Sequence, residues 1–175
     1  MNISTKKSTT VIICRAGIIA ALYAGLTMAF GALAYGPLQI RPAEALCLLP
    51  LFYPEAIVGL YIGCMLANLL SGYGFADIVF GSLITLFAAL TTFFLGKCVK
   101  NSRLAAFLGG LPPILYNAFG IPVIIILVSV DDTFAAYWPY FASMLLTQSV
   151  WIYALGLPMA LGIKRLRDRN IRFLL

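Results

Sequence analysis

Long apolar runs, broken by only a few charges, constrain this chain more than any other feature. Residues 16–34, 104–130 and 136–163 each carry no charged side chain, and a helix crosses a bilayer with about 20 such residues. A soluble domain carries charges on about a quarter of its residues; here the fraction is 10% and the mean hydropathy is +1.00. At roughly 25–30 residues per span and turn, the 175 residues hold six helices and no soluble ATPase or kinase domain. The expected fold is an all-α integral membrane protein, a bundle of six transmembrane helices. Its energy must come from an ion gradient or from partner proteins.

The spans are expected over about 11–33, 42–53, 55–70, 76–96, 104–130 and 136–163. A polar tail at 1–10 precedes this membrane domain of 11–163, and a basic tail at 164–175 follows it. The apolar run at 16–34 exceeds the 7–15 residues of a signal-peptide core, so it is read as a retained helix. The net charge of +6 does not indicate nucleic acid, because the basic residues sit at the ends of apolar segments. With both termini cytoplasmic, eleven of the twelve lysines and arginines fall inside and only Arg41 falls outside, as the positive-inside rule requires. The outer loops are then 35–41, 71–76 and 130–133. No internal repeat of the inverted-transporter kind is visible.

The outer loop 35–41 leads into a polar island, Gly36-Pro-Leu-Gln-Ile-Arg-Pro-Ala-Glu-Ala-Leu46. Arg41 and Glu44 are the only charges between Arg15 and Glu55. Charge at such depth is costly and marks a functional site by default. Arg41 precedes a proline, which favours extended backbone. Pro42 suits the first helical position, and Glu44 then lies in the first turn, near the positive end of the helix dipole. Glu44 could simply complement that dipole, but Arg41, not Ser or Thr, occupies the cap position of a capping box.

Further polar groups gather towards the same outer side: Gln39, Asn68, Asp77, which opens the fourth helix, and Asn117. Gln148 lies mid-membrane, with Trp151 on its face and Met144 a turn earlier. Tyr35, Tyr73, Tyr116, Phe119, Tyr137, Trp138 and Tyr140 lie near the same level. A carboxylate, amides and flat aromatics suit a small planar ligand with hydrogen-bonding edges. A carboxylate accepts two parallel N–H bonds from an edge such as the N1–H and 2-amino group of guanine. Taken singly, each residue has a plainer reading. Interfacial aromatics anchor helices, membrane amides join helices, and Asp77, Asp131 and Asp132 can cap them. Clustering on one side favours a site.

Helix 1 carries two interleaved small-residue rows, Ala16, Ala20, Ala24 and Gly17, Ala21, Gly25. Such rows let another helix approach closely in lipid, either within this bundle or on a separate membrane subunit. Cys14, Cys47, Cys64 and Cys98 lack CxxC spacing and no histidine is present. The thiols are read as small apolar residues, and no metal or other cofactor is expected. An enzyme is disfavoured by the lack of HExxH, GxSxG or a nucleophile–base pair. A channel is disfavoured by the lack of charge rings or a filter-like loop.

The island Gly36–Leu46, the stretch Gly59-Leu-Tyr-Ile-Gly-Cys-Met-Leu-Ala-Asn-Leu69 and the stretch Asp77-Ile-Val-Phe-Gly-Ser-Leu-Ile-Thr-Leu86 together resemble the QueT family of queuosine-precursor transporters. The resemblance covers about residues 15–160 and is weakest in the fifth helix, and Ile40 and Pro42 depart mildly from its pattern. It implies a six-helix substrate-binding (S) component of an energy-coupling-factor (ECF) importer in the bacterial plasma membrane. Such a component binds queuine or another 7-deazaguanine, docks on a transmembrane T subunit joined to two ATPases, and topples to release substrate inwards. On this reading Glu44 pairs with the guanine-like edge, and Gln39, Arg41, Asn68 and Asp77 complete or gate the pocket. Tyr35 and residues 36–41 form an outer lid, and Arg41 alternatively neutralises Glu44 in the empty state. The roles of Asn117, Gln148 and Trp151 rest on their chemistry alone. The alternatives are an S-component for another vitamin-like heterocycle and a ligand-free assembly protein.

Overall fold

The computed structural model describes residues 8–36, 38–129 and 134–169, and among them every regular element is helical. Pro37, Asp131 and Asp132, named above, and Lys6, Lys7 and Arg172 of the two tails lie outside the described residues. Helices α1 (Thr9–Ala29) and α2 (Gly31–Tyr35) are followed by a 3₁₀ helix, Pro42–Leu51. After these come α3 (Glu55–Asn68), α4 (Gly74–Cys98), α5 (Ser102–Val128) and α6 (Phe134–Asp168). Four of them, α1, α4, α5 and α6, are long and apolar enough to cross a membrane; the 3₁₀ helix and α3 are shorter apolar helices.

Several boundaries differ from the sequence expectation for local reasons. The first span breaks at Gly31, whose φ of +46° is a left-handed conformation that glycine adopts without a Cβ clash. The fourth helix starts at Gly74, so Asp77 sits a turn inside it, within a π-helical turn over Asp77–Gly81. Asp77 is therefore not a cap. The fifth helix starts earlier than expected, at Ser102, where the Asn101 side chain accepts from the backbone N–H groups of Arg103 and Leu104. It then continues through Pro112, Pro113 and Pro122. The last helix runs past the apolar stretch to Asp168, where Lys164 and Asp168 pair at 3.8 Å one turn apart.

The second expected span departs furthest. The segment is 3₁₀ rather than α-helical, and nine of its ten residues are buried. Proline at both 42 and 50 removes two backbone donors from so short a helix. A helix apolar on every side belongs inside a protein, and this one is the central post of the bundle. The Gly156 backbone of α6 lies against it, close enough that a Cβ would come 2.8 Å from the Ala45 carbonyl. At its far end Leu51 seats on Gly96 and Gly109.

Helices α1 and α3 pack with their backbones close together. A Cβ on Gly59 would sit 2.7 Å from the Ala16 carbonyl, and one on Gly63 would sit 2.8 Å from the Ala20 carbonyl. The two rows of α1 thus have separate fates. Ala20 and Ala24 are buried and Ala16 is half-buried, facing α3 with Ile19 and Tyr23. Ala16 and Ala20 are thus taken up by packing within this bundle, against Gly59 and Gly63, rather than left free for a second subunit. Gly17, Ala21 and Gly25 are exposed, and nothing lies within 4 Å of a Cβ placed on Gly17 or Gly25. Gly63→Ala is accordingly expected to lose about 1–3 kcal/mol through overpacking. Gly17→Ala should instead be neutral or gain up to about 1 kcal/mol from helix propensity. Thermal melts of the two purified variants check the contrast.

Arg15 and Glu55, the charges that flank the polar island in sequence, are partners. Arg15 Nη1 donates to Glu55 Oε1 at 3.2 Å, and its guanidinium lies 5.2 Å from the centre of the Tyr53 ring. They close α1 onto the start of α3, well away from the island in chain terms.

Candidate functional site

The loop after α2 turns sharply into the 3₁₀ helix. Gln39 has φ +43°, an uncommon conformation for a residue with a side chain. The Ile40 N–H donates back to the Leu33 carbonyl at 2.9 Å. Arg41 is extended, as its position before proline dictates, and its Nε donates to the Ala34 carbonyl at 2.8 Å. Its guanidinium lies 5.5 Å from the centre of the half-buried Tyr35 ring, within cation–π range. Tyr35 in turn donates its hydroxyl to the Ala67 carbonyl at 2.7 Å, tying α2 to the end of α3.

Glu44 is 1% exposed and fully engaged. Tyr23 Oη donates to Oε1 at 2.6 Å, while Cys47 Sγ and Asn117 Nδ2 donate to Oε2, each at 3.2 Å. This carboxylate joins α1, the 3₁₀ helix and α5. It does more than complement a dipole, because three side chains bond it directly. A 3₁₀ helix has three residues per turn, so residues three apart eclipse, and Cys47 falls directly over Glu44.

A second group forms around Asp77, which is 1% exposed. Asn68 Nδ2 donates to the Asp77 backbone carbonyl at 2.9 Å and approaches Cys64 Sγ at 3.6 Å. Thr85 Oγ1 also reaches Cys64 Sγ, at 3.3 Å. Asp77 Oδ1 lies so close to Gly81 that a Cβ there would collide with it. The ion pair of Arg41 is with this residue, Nη2 to Asp77 Oδ2 at 4.0 Å. Among the described residues no ion pair joins Arg41 to Glu44. The Glu44 oxygens are satisfied by neutral donors, and the guanidinium faces the other carboxylate.

Of the nine residues read from sequence as ligand-binding, seven are buried: Gln39, Arg41, Glu44, Asn68, Asp77, Asn117 and Gln148. Hydrogen bonds or the ion pair link Glu44 with Asn117 and Arg41 with Asp77 and Asn68. Gln148 is buried beside the equally buried Met144 on α6. Trp151 is half-buried and meets Phe30 edge-on at 6.2 Å between ring centres. Among the outer aromatics, Tyr116, Phe119 and Trp138 are exposed by 41%, 53% and 65%, which suits surface anchors rather than a pocket wall. Sequence reasoning missed Tyr23 and Cys47 as partners of Glu44, and Cys64 as the shared partner of Asn68 and Thr85. The thiols of Cys47 and Cys64 are polar members of the cluster, not merely small apolar residues. Among the described residues, no group of three or more His, Cys, Asp or Glu side chains could hold a metal ion.

Buried carboxylates, a guanidinium and amides from five helical segments thus lie inside an apolar bundle, where polar side chains are costly to keep. The sequence model described as QueT transporter matches residues 13–165. The chain belongs to the QueT transporter family. Family membership, with four helices long enough to cross a bilayer, makes it a membrane protein of a transporter family. One curated relative is the queuosine precursor transporter QueT of Lactococcus lactis subsp. cremoris (strain MG1363). It is 43% identical over 83 residues, 46% of this chain and 48% of that protein. The match thus spans about half the length of that relative. No solved structure matches the chain.

Proposed function

We propose that this chain is the membrane-embedded substrate-binding subunit of an ECF-type importer that takes up a queuosine precursor, queuine or another 7-deazaguanine. The family match over residues 13–165 is the observation that carries this reading. The name of the Lactococcus relative supplies the substrate class. The buried cluster supports it chemically. A planar, hydrogen-bonding heterocycle needs convergent donors and acceptors, and Gln39, Arg41, Asn68, Asp77 and Gln148 provide both. Glu44 and Asn117 brace the walls of the site, with Trp151 at its margin and Tyr35 and the 36–41 loop as the lid.

On this proposal the 3₁₀ helix and α3 complete six crossings with α1, α4, α5 and α6, and both termini lie in the cytoplasm of a bacterial cell. The exposed row Gly17, Ala21, Gly25 is the face for the transmembrane T subunit, which couples the protein to two ATPases. A leucine at Ala21 should abolish copurification with the T subunit without lowering thermal stability in isolation.

The direct test is the melting of the detergent-purified protein against queuine, its deazaguanine precursors, guanine and several vitamins. A specific ligand at about 100 times its Kd adds about 2.7 kcal/mol, which reads as a shift of several degrees. A selective shift with one 7-deazaguanine is the expected result. A shift with an unrelated vitamin alone would keep the architecture and overturn the substrate. No shift with any compound would favour a ligand-free assembly role.

A further inference from the structure

The two carboxylates of the cluster are in opposite states. Both oxygens of Glu44 receive hydrogen bonds from Tyr23, Cys47 and Asn117. Neither oxygen of Asp77 has a hydrogen-bond partner among the described residues, although the residue is 1% exposed. The same holds for Gln39 Nε2, Arg41 Nη2, Asn68 Oδ1 and Gln148 Oε1, on side chains no more than 3% exposed. Protein interiors leave few such groups unpaired, and each one calls for a reason.

The set is chemically uneven. It holds two donors, on Gln39 and Arg41, and four acceptors, two of them on Asp77. Arg41 Nη2 stands 4.0 Å from Asp77 Oδ2, close enough to balance charge and too far for a hydrogen bond. Each partner therefore keeps bonding capacity for a third group. Asp77 is also positioned with care. It sits in a π-helical turn, a distortion frequent at functional sites. Its backbone carbonyl is held by Asn68, and its carboxylate lies on the bare surface of Gly81.

We infer that Asp77, and not Glu44, is the carboxylate that accepts the ligand's N–H edge, and that the site selects a heterocycle whose edge reads acceptor, donor, donor. The inference rests on the transport reading above and refines its binding residue. A guanine-type edge has that order: a carbonyl oxygen, a ring N–H and an exocyclic amine. The carbonyl accepts from Arg41 or Gln39, and the two N–H groups donate to Asp77, a charge-assisted pair of bonds. Asn68 Oδ1 and Gln148 Oε1 remain to accept further N–H groups of the ligand. Glu44 is the scaffold that locks α1, the 3₁₀ helix and α5 around the site.

The test compares 7-deazaguanine with 7-deazahypoxanthine, which lacks the exocyclic amine, in competition binding to the purified full chain. The wild-type protein is expected to prefer the amine-bearing base by about 10- to 100-fold, the range for one hydrogen bond to a charged group. In Asp77→Asn the preference should fall to within about 3-fold, or both ligands should be lost while the variant still melts cooperatively. Glu44→Gln should keep the preference, whatever happens to absolute affinity. If Asp77→Asn does not fold, the double variant Arg41→Gln/Asp77→Asn leaves no lone buried charge and reads the same ratio. Gly81→Ala, which keeps the carboxylate but displaces it, should also blunt the preference. A preference that survives in the Asp77 variants, that disappears in Glu44→Gln, or that is absent from the wild type overturns the inference alone. Failure of the wild type to bind any 7-deazaguanine overturns the transport reading, and the inference with it.

Discussion

Arg41→Gln is expected to lower stability by about 3–5 kcal/mol, the usual cost of removing one member of a buried ion pair. The reason is what remains. Asp77 would be left 1% exposed, with neither a hydrogen bond to either oxygen nor another ion-pair partner among the described residues. Adding Asp77→Asn should recover most of the loss, because replacing both partners of a buried pair is often close to neutral. Recovery should be incomplete, since the bond from Arg41 Nε to the Ala34 carbonyl and the contact with the Tyr35 ring are also lost. A double-mutant cycle by thermal or denaturant unfolding measures the coupling. Single costs that simply add would show that the 4.0 Å pair carries no energy.

Glu44→Ala should be destabilising for the converse reason. Tyr23 Oη and Asn117 Nδ2 would lose their acceptor inside the bundle. Each orphaned buried donor costs about 1–3 kcal/mol, so the loss should be about 2–6 kcal/mol. Tyr23→Phe alone should cost about 1.5–3 kcal/mol, the range for a bond to a charged acceptor. Made in the Glu44→Ala background, the same change should be neutral or restoring, because it removes a donor that no longer has a partner. Melting curves of the four proteins decide it. A Tyr23→Phe penalty that persists without Glu44 would show that the hydroxyl contributes elsewhere.

Much of this organisation could be read from the residues. Hydropathy located the helical segments, because apolar runs longer than a soluble helix needs are hard to mistake. The polar positions of the cluster were visible too, since Gln39, Arg41, Glu44, Asn68, Asp77, Asn117 and Gln148 stand out against hydrocarbon. What could not be read was who bonds whom. Arg41 and Glu44 are three apart in sequence and look like partners, but the 3₁₀ helix brings Cys47 over Glu44 and Arg41 faces Asp77. Tyr23 looked like one more helix aromatic. Its only signal was its place on the Ile19–Tyr23–Thr27 face, which turns out to be buried. The two small-residue rows of α1 were equivalent on a helical wheel. The distinction between them came from Gly59 and Gly63 on α3, whose missing side chains admit one row and not the other.

The 3₁₀ form of Pro42–Leu51 has a consequence for how this chain can vary in length. A 3₁₀ helix rises about 2.0 Å per residue against 1.5 Å for an α-helix. Ten residues then reach about 20 Å, a distance that would take an α-helix about thirteen. One end carries Glu44 and the other plants Leu51 on Gly96 and Gly109. A single inserted residue would turn one end against the other by about 120° and push them about 2 Å apart. Glu44 or Leu51 would have to leave its seat. The segment is a gauge rod: its side chains can be exchanged for others of similar bulk, but its residue count cannot change without resetting both ends.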